Sequence, residues 1–62
     1  MAKLGPQQKS VVRMLSQGYS QKEVAKRMGI SYGYVRQLVK SARDRTNSRS
    51  TTELVLRAMT DS

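Results

Sequence analysis

The chain contains no cysteine, no histidine, no tryptophan and no phenylalanine, and a single proline. Without cysteine no disulfide can staple the fold, and without cysteine and histidine no zinc cluster can nucleate it. Acids are scarce as well, four Asp and Glu against twelve Lys and Arg. With so few carboxylates and no imidazole or thiol, no convincing metal site or acid–base pair can be assembled, so an enzyme is not expected. Neither a cofactor nor a small-molecule ligand is expected. No apolar run approaches the roughly 18 residues that a membrane helix requires. The opening MAKLGPQQKS lacks the apolar core of a secretory signal. The expected location is cytoplasmic, of a bacterial or phage-type nucleoid-associated kind, which the absence of cysteine fits.

What remains is small, aliphatic and basic. Sixty-two residues make one domain at most, expected to span 1–62. A chain of this size buries only about 60% of its unfolded surface. A core of Val, Leu, Ile, Met and Ala then supplies roughly 3–5 kcal/mol, and a partner surface is an expected further source of stability. The net charge of +8 points to a polyanion as that partner: DNA, RNA or an anionic membrane surface.

The punctuation of the sequence predicts four helices and no strand. The first starts at Pro6, a good first helical residue, with Gly5 as a cap that has no side-chain acceptor. Val11, Val12, Met14 and Leu15 give it an apolar face onto which Leu4 folds back. Gly18 ends it, and Tyr19 packs back on the last turn. Ser20 and Glu23 form an S-x-x-E capping box for the second helix, whose apolar face is Val24, Ala25 and Met28. Gly29 breaks that helix, Ile30 is buried in the turn, and Ser31 caps the third helix, which runs over about residues 32–45. On a helical wheel Val39 and Ala42 fall within about 40° of Val35, and Leu38 about 60° away. Gly33, Arg36, Gln37, Lys40 and Asp44 project to the other side. Residues 45–50, RTNSRS, read as a polar loop. A second S-x-x-E box, Ser50 and Glu53, starts a fourth helix through about Met59, with the final TDS expected to fray.

Ala25, Gly29, Ile30 and Val35 stand four, five and ten residues apart from the first of them, the spacing of a helix-turn-helix. A small residue is needed where the two helices touch, and a left-handed one in the turn. Apolar residues then seat the second helix on the core. The fold class expected is therefore all-α, a three-helix helix-turn-helix core plus a C-terminal helix.

The stretch LGPQQKSVVRMLSQGYSQKEVAKRMGISYGYVRQLV resembles the LuxR/FixJ/GerE-type DNA-binding domain, in a stand-alone form. The matches are Leu4, Pro6, Val11, Val12, Met14, Leu15, Gly18, Ser20, Lys22, Glu23, Val24, Ala25, Met28, Ile30, Ser31 and Val35. The fourth helix, TELVLRA, has the same character. The resemblance implies that helix three enters the major groove and that helix four commonly dimerises; Lys22 matches the family's phosphate-contacting lysine. Gly5 and Gln8 or Lys9 replace the family's Thr and Glu, a change expected to remove an acceptor and an acid. Tyr34 stands for a small Thr and Leu38 for a His, so the family's target preferences do not transfer.

The base-contacting residues expected on helix three are Tyr32, Gly33, Tyr34, Arg36, Gln37 and Lys40. Arg can grip guanine O6 and N7, Gln adenine N6 and N7, and a tyrosine ring a thymine methyl. Gly33 lets the backbone approach DNA closely between the two tyrosines. Phosphate contacts are expected from Ser20, Gln21, Lys22, Lys26, Ser31 and Arg43. On helix four, Thr52, Val55, Leu56 and Met59 spread over an arc too wide for one small core, so a homodimer interface is expected there. These readings point to a sequence-specific regulator of transcription on double-stranded DNA. The alternatives are a non-regulatory DNA-binding accessory protein and a protein-interaction module that antagonises another regulator.

Overall fold

The computed structural model describes residues 4–60. Among them are four helices and no strand: α1 Pro6–Ser16, α2 Gln21–Met28, α3 Tyr32–Arg45 and α4 Thr51–Thr60. The all-α class and all four helices agree with the sequence reading. Helix α4 runs one residue further than expected: Thr60 Oγ1 donates to Leu56 O at 3.1 Å as its last helical residue. Asp61 and Ser62, also expected to fray, lie outside the described residues.

The helix starts follow from their caps. Ser20 Oγ accepts from Glu23 N, and Glu23 Oε1 accepts from Ser20 N, each at 3.1 Å, so the first box closes reciprocally. Ser31 Oγ accepts from Tyr34 N at 3.1 Å. The second box is displaced by one residue. Ser50 Oγ accepts from Glu53 N, but the Glu53 carboxylate takes the Arg49 amide at 2.9 Å rather than that of Ser50. In α1, Gly5 has no side chain to offer, yet its own N–H donates to Gln8 Oε1 at 2.8 Å. The side-chain acceptor at the cap is absent, as expected, while Gln8 supplies the other half of the box with an uncharged amide oxygen.

The helix ends share one device. After α1, α2 and α3, an amide just past the helix bonds back five residues, and the preceding one closes a shorter turn, through a residue in the left-handed region. After α1 these bonds are Tyr19 N to Met14 O and Gly18 N to Leu15 O, with Gly18 at φ 99°. After α2 they are Ile30 N to Ala25 O and Gly29 N to Lys26 O, with Gly29 at φ 70°. After α3 they are Ser48 N to Arg43 O and Asn47 N to Asp44 O, with Asn47 at φ 56°. The third was hidden in what reads as a loop. Asparagine tolerates the left-handed conformation better than other side chains. Thr46 Oγ1 donates to Ala42 O, and Arg43 Nη2 donates to Arg49 O, so residues 45–50 form a braced turn.

Val11, Val12, Val24, Ala25, Val35, Val39, Ala42 and Leu54 form the buried core, with all four helices contributing. Leu4, Met14, Leu15, Tyr19, Met28, Ile30, Leu38 and Ala58 pack around it. Ile30 is half-buried rather than buried. Leu54 is the largest fully enclosed side chain and the anchor of α4. Truncating such a leucine costs about 2–5 kcal/mol, comparable to the whole stability available at this size. Helix α4 rests on α1 and α3 and, among the described residues, does not touch α2. The outward face of α3 therefore stays open beside α2.

Gln8 is the one buried polar residue, at 7% exposure, among the described residues. Its Nε2 donates to Ser41 Oγ at 2.8 Å while its Oε1 takes the Gly5 amide. One side chain thus caps α1 and ties it to α3.

Candidate nucleic-acid interface

The stripe Val35, Val39 and Ala42 locks one side of α3 into the core. Helical periodicity then turns Arg36, Gln37 and Lys40 into solvent, where all three are exposed. A groove beside them is lined by Gln21 from α2, by Gly33, Arg36, Gln37, Val39, Lys40, Arg43 and the acid Asp44 from α3, and by Thr51 at the start of α4. Six of the expected contact residues meet there. Thr51 was not foreseen, because only the braced turn after α3 brings it to the groove.

The two tyrosines lie outside this groove and differ in their surroundings. Tyr34 is 38% exposed, and its hydroxyl donates to Gln7 Oε1 at 2.6 Å. It therefore bridges α3 to the first turn of α1, a tertiary contact that helical spacing cannot reveal. Tyr32 is 42% exposed, and its ring lies 5.8 Å from Lys22 Nζ and 5.9 Å from Arg36 Cζ. A third ring contact, Arg27 over Tyr19 at 4.4 Å, fastens the end of α2 to the turn before it.

Ser20 and Ser31 serve as helix caps through their oxygens. Each hydroxyl keeps its proton as a donor. Lys22 and Lys26 are exposed on α2, and Gln21 is half-buried. Arg43 is half-buried: one end of its guanidinium holds the Arg49 carbonyl, and its buried Nε has no hydrogen-bond partner among the described residues.

The described acids are Glu23, Asp44 and Glu53, and the two glutamates act at helix starts. Glu53 also pairs with Arg57 on its own helix at 3.6 Å. The Glu23 carboxyl is held below its ordinary value, first by the Ser20 amide donating to it, then by the Ser20 side chain and the charge of Arg27. No carboxylate forms an ion pair with Lys22, Arg36 or Lys40 among the described residues. The cationic face of α2 and α3 is thus left to an external anion.

Comparison with known families matches residues 1–45 to sigma-70, region 4. The chain belongs to the sigma-70 region 4 family. The matched residues contain α1, α2 and α3, hence the whole helix-turn-helix and every residue lining the groove except Thr51. Sigma-70 region 4 is a helix-turn-helix DNA-binding domain, so this chain is one as well. The match supports that class and not the LuxR/GerE subtype suggested by the sequence pattern. Helix α4 lies beyond the matched residues. Searches among curated proteins and among solved structures each returned no match. No helix of the described residues is long and apolar enough to cross a membrane.

Proposed function

We propose that this chain, acting as one module over residues 1–62, is a sequence-specific regulator of transcription that lays α3 in the major groove of duplex DNA. Gly33 carries this reading. Nothing lies within 4 Å of where its Cβ would be, and its φ is not in the left-handed region. Neither packing nor backbone geometry inside the chain calls for glycine there. A close approach from outside does, and the base edges supply it. Gly33, Tyr34, Arg36, Gln37 and Lys40 then face the bases with Tyr32 beside them, while Ser20, Gln21, Lys22, Lys26, Ser31 and Arg43 face phosphates. Six neutralised phosphates give a slope of log K against log salt of about −5.

Helix α4 makes the module a dimer in this reading. Leu56 and Met59 are 58% and 61% exposed, Thr52 is exposed and Val55 half-buried beside them. The LuxR-type resemblance, with its dimerising fourth helix, supports the same use of this face. Two recognition helices would then meet DNA about 34 Å, or one turn, apart.

Selection of bound sequences from a random duplex pool tests both parts. The expected product is a palindrome with half-sites one turn apart. A single asymmetric motif removes the dimer, and no enrichment removes sequence-specific binding. The exposed apolar strip on α4 also suits a foreign protein. In that case Arg36→Ala leaves function intact while Leu56→Asp abolishes it.

A further inference from the structure

Two cations from different helices converge on one ring. Lys22 Nζ from α2 and Arg36 Cζ from α3 lie 5.8 and 5.9 Å from the centroid of Tyr32. Tyr32 is the first residue of α3, placed by the Ser31 cap, and Arg36 stands one helical turn beyond it. Both cations are exposed. A ring face attracts a cation at this range because of its quadrupole. Long charged side chains otherwise sample many rotamers, and ordering them opposes binding.

From this we infer that Tyr32 is a positioning residue, whose ring holds the phosphate-directed Lys22 and the base-directed Arg36 in register with each other before DNA arrives. This inference rests on the DNA-binding reading above and adds to it a division of labour. The ring of Tyr32 acts through the two cations, and its hydroxyl is dispensable. Engagement of the backbone by α2 and reading of bases by α3 become linked through one side chain.

The test uses the full chain and the duplex that the wild-type protein selects from a random pool. Tyr32→Leu keeps apolar bulk and removes the quadrupole; Tyr32→Phe keeps the ring. Leaving two long cationic side chains to be ordered on binding is expected to cost Tyr32→Leu about 10-fold in affinity. Tyr32→Phe is expected to stay within about 2-fold of wild type, since Phe also attracts cations. The deciding arm is the double variant Lys22→Ala/Arg36→Ala, in which Tyr32→Leu is expected to change affinity little. An equal loss in both backgrounds would mean that Tyr32 touches DNA directly and would overturn the inference. So would an unchanged affinity for Tyr32→Leu in the wild-type background.

A second readout needs no DNA. The side-chain protons of Arg36 and Lys22 are expected to carry ring-current shifts in the free protein that persist in Tyr32→Phe and vanish in Tyr32→Leu. Their absence from the wild-type protein overturns the platform by itself. If the wild-type protein binds no duplex while these shifts are present, the DNA-binding reading fails and takes the positioning role with it. Thermal melting of each variant separates a lost fold from a lost contact.

Discussion

The Tyr34 hydroxyl donates to Gln7 Oε1 at 2.6 Å, joining the start of α3 to the start of α1. Both side chains are exposed, so water competes for the bond. Tyr34→Phe is expected to cost under about 1 kcal/mol of stability, measured by denaturant unfolding. Because the bond fixes the ring and not the fold, Tyr34→Phe should retain more duplex affinity than Tyr34→Ala. Equal losses for the two would mean that the hydroxyl is the part that matters.

Gly33→Ala separates folding from binding. The added methyl meets open space in the free protein. Alanine is the better helix former, so a gain of about 0.5 kcal/mol is expected in thermal or denaturant unfolding. Duplex affinity should fall at the same time, because the methyl occupies the space into which DNA comes. A variant that gains stability and keeps full affinity would remove the reason offered for the glycine.

Gln8 is the polar keystone between α1 and α3. Gln8→Leu leaves the Gly5 amide and the Ser41 hydroxyl without their partner, and is expected to destabilise by about 1–3 kcal/mol. Ser41→Ala should cost less, since Gln8 still caps Gly5. Gln8→Glu should be tolerated better than Gln8→Leu, because a carboxylate accepts from both the Gly5 amide and the Ser41 hydroxyl. Urea unfolding of the three variants orders them.

Glu23 introduces a pH dependence. Its carboxyl is held below the ordinary value of 4.5, so its charged form is favoured in the folded state. The resulting stabilisation is fully present above the ordinary value and is lost as pH falls through the lowered one. Melting temperature should therefore drop on acidification in that window. Glu23→Gln should flatten this part of the profile. An unchanged profile in the variant would mean that the carboxylate gains nothing from Ser20 and Arg27.

Leu56 is 58% exposed and outside the core, so Leu56→Asp should leave the fold intact. In equilibrium sedimentation the wild type is expected to associate at high micromolar concentration and the variant to stay monomeric. A wild type that is monomeric both with and without duplex would contradict the α4 interface.

Much of the fold was legible because its signals are local. Ser20 with Glu23, Gly18 and Gly29 act within one turn of their own positions, and the stripe of Val35, Val39 and Ala42 is a one-helix periodicity. The outward set of Arg36, Gln37 and Lys40 followed as its complement. What escaped depends on neighbours far along the chain or on a weaker residue in a strong residue's place. Asn47 takes the left-handed turn usually given to glycine, inside a polar run that reads as loop. Gln8 is buried because Ser41, on another helix, meets it; its place one turn before Val11 and Val12 was the available hint. The pairing of Lys22 with Tyr32 and of Gln7 with Tyr34 arises only once α1, α2 and α3 are packed. The family was legible as a helix-turn-helix DNA-binding domain, since the apolar spacing that builds this motif is common to many such domains. The subtype was not, because it is written in exposed residues that packing does not constrain.

The most direct measurement is an amide chemical-shift titration of the labelled protein with its selected duplex. The expected shifts concentrate on residues 32–40 of α3, with a second set at Gln21, Lys22 and Lys26 on α2, and weaken with added salt. Amides of residues 32–40 that stay in place while the protein binds duplex would contradict a recognition helix at α3 and assign the cationic surface to a different contact.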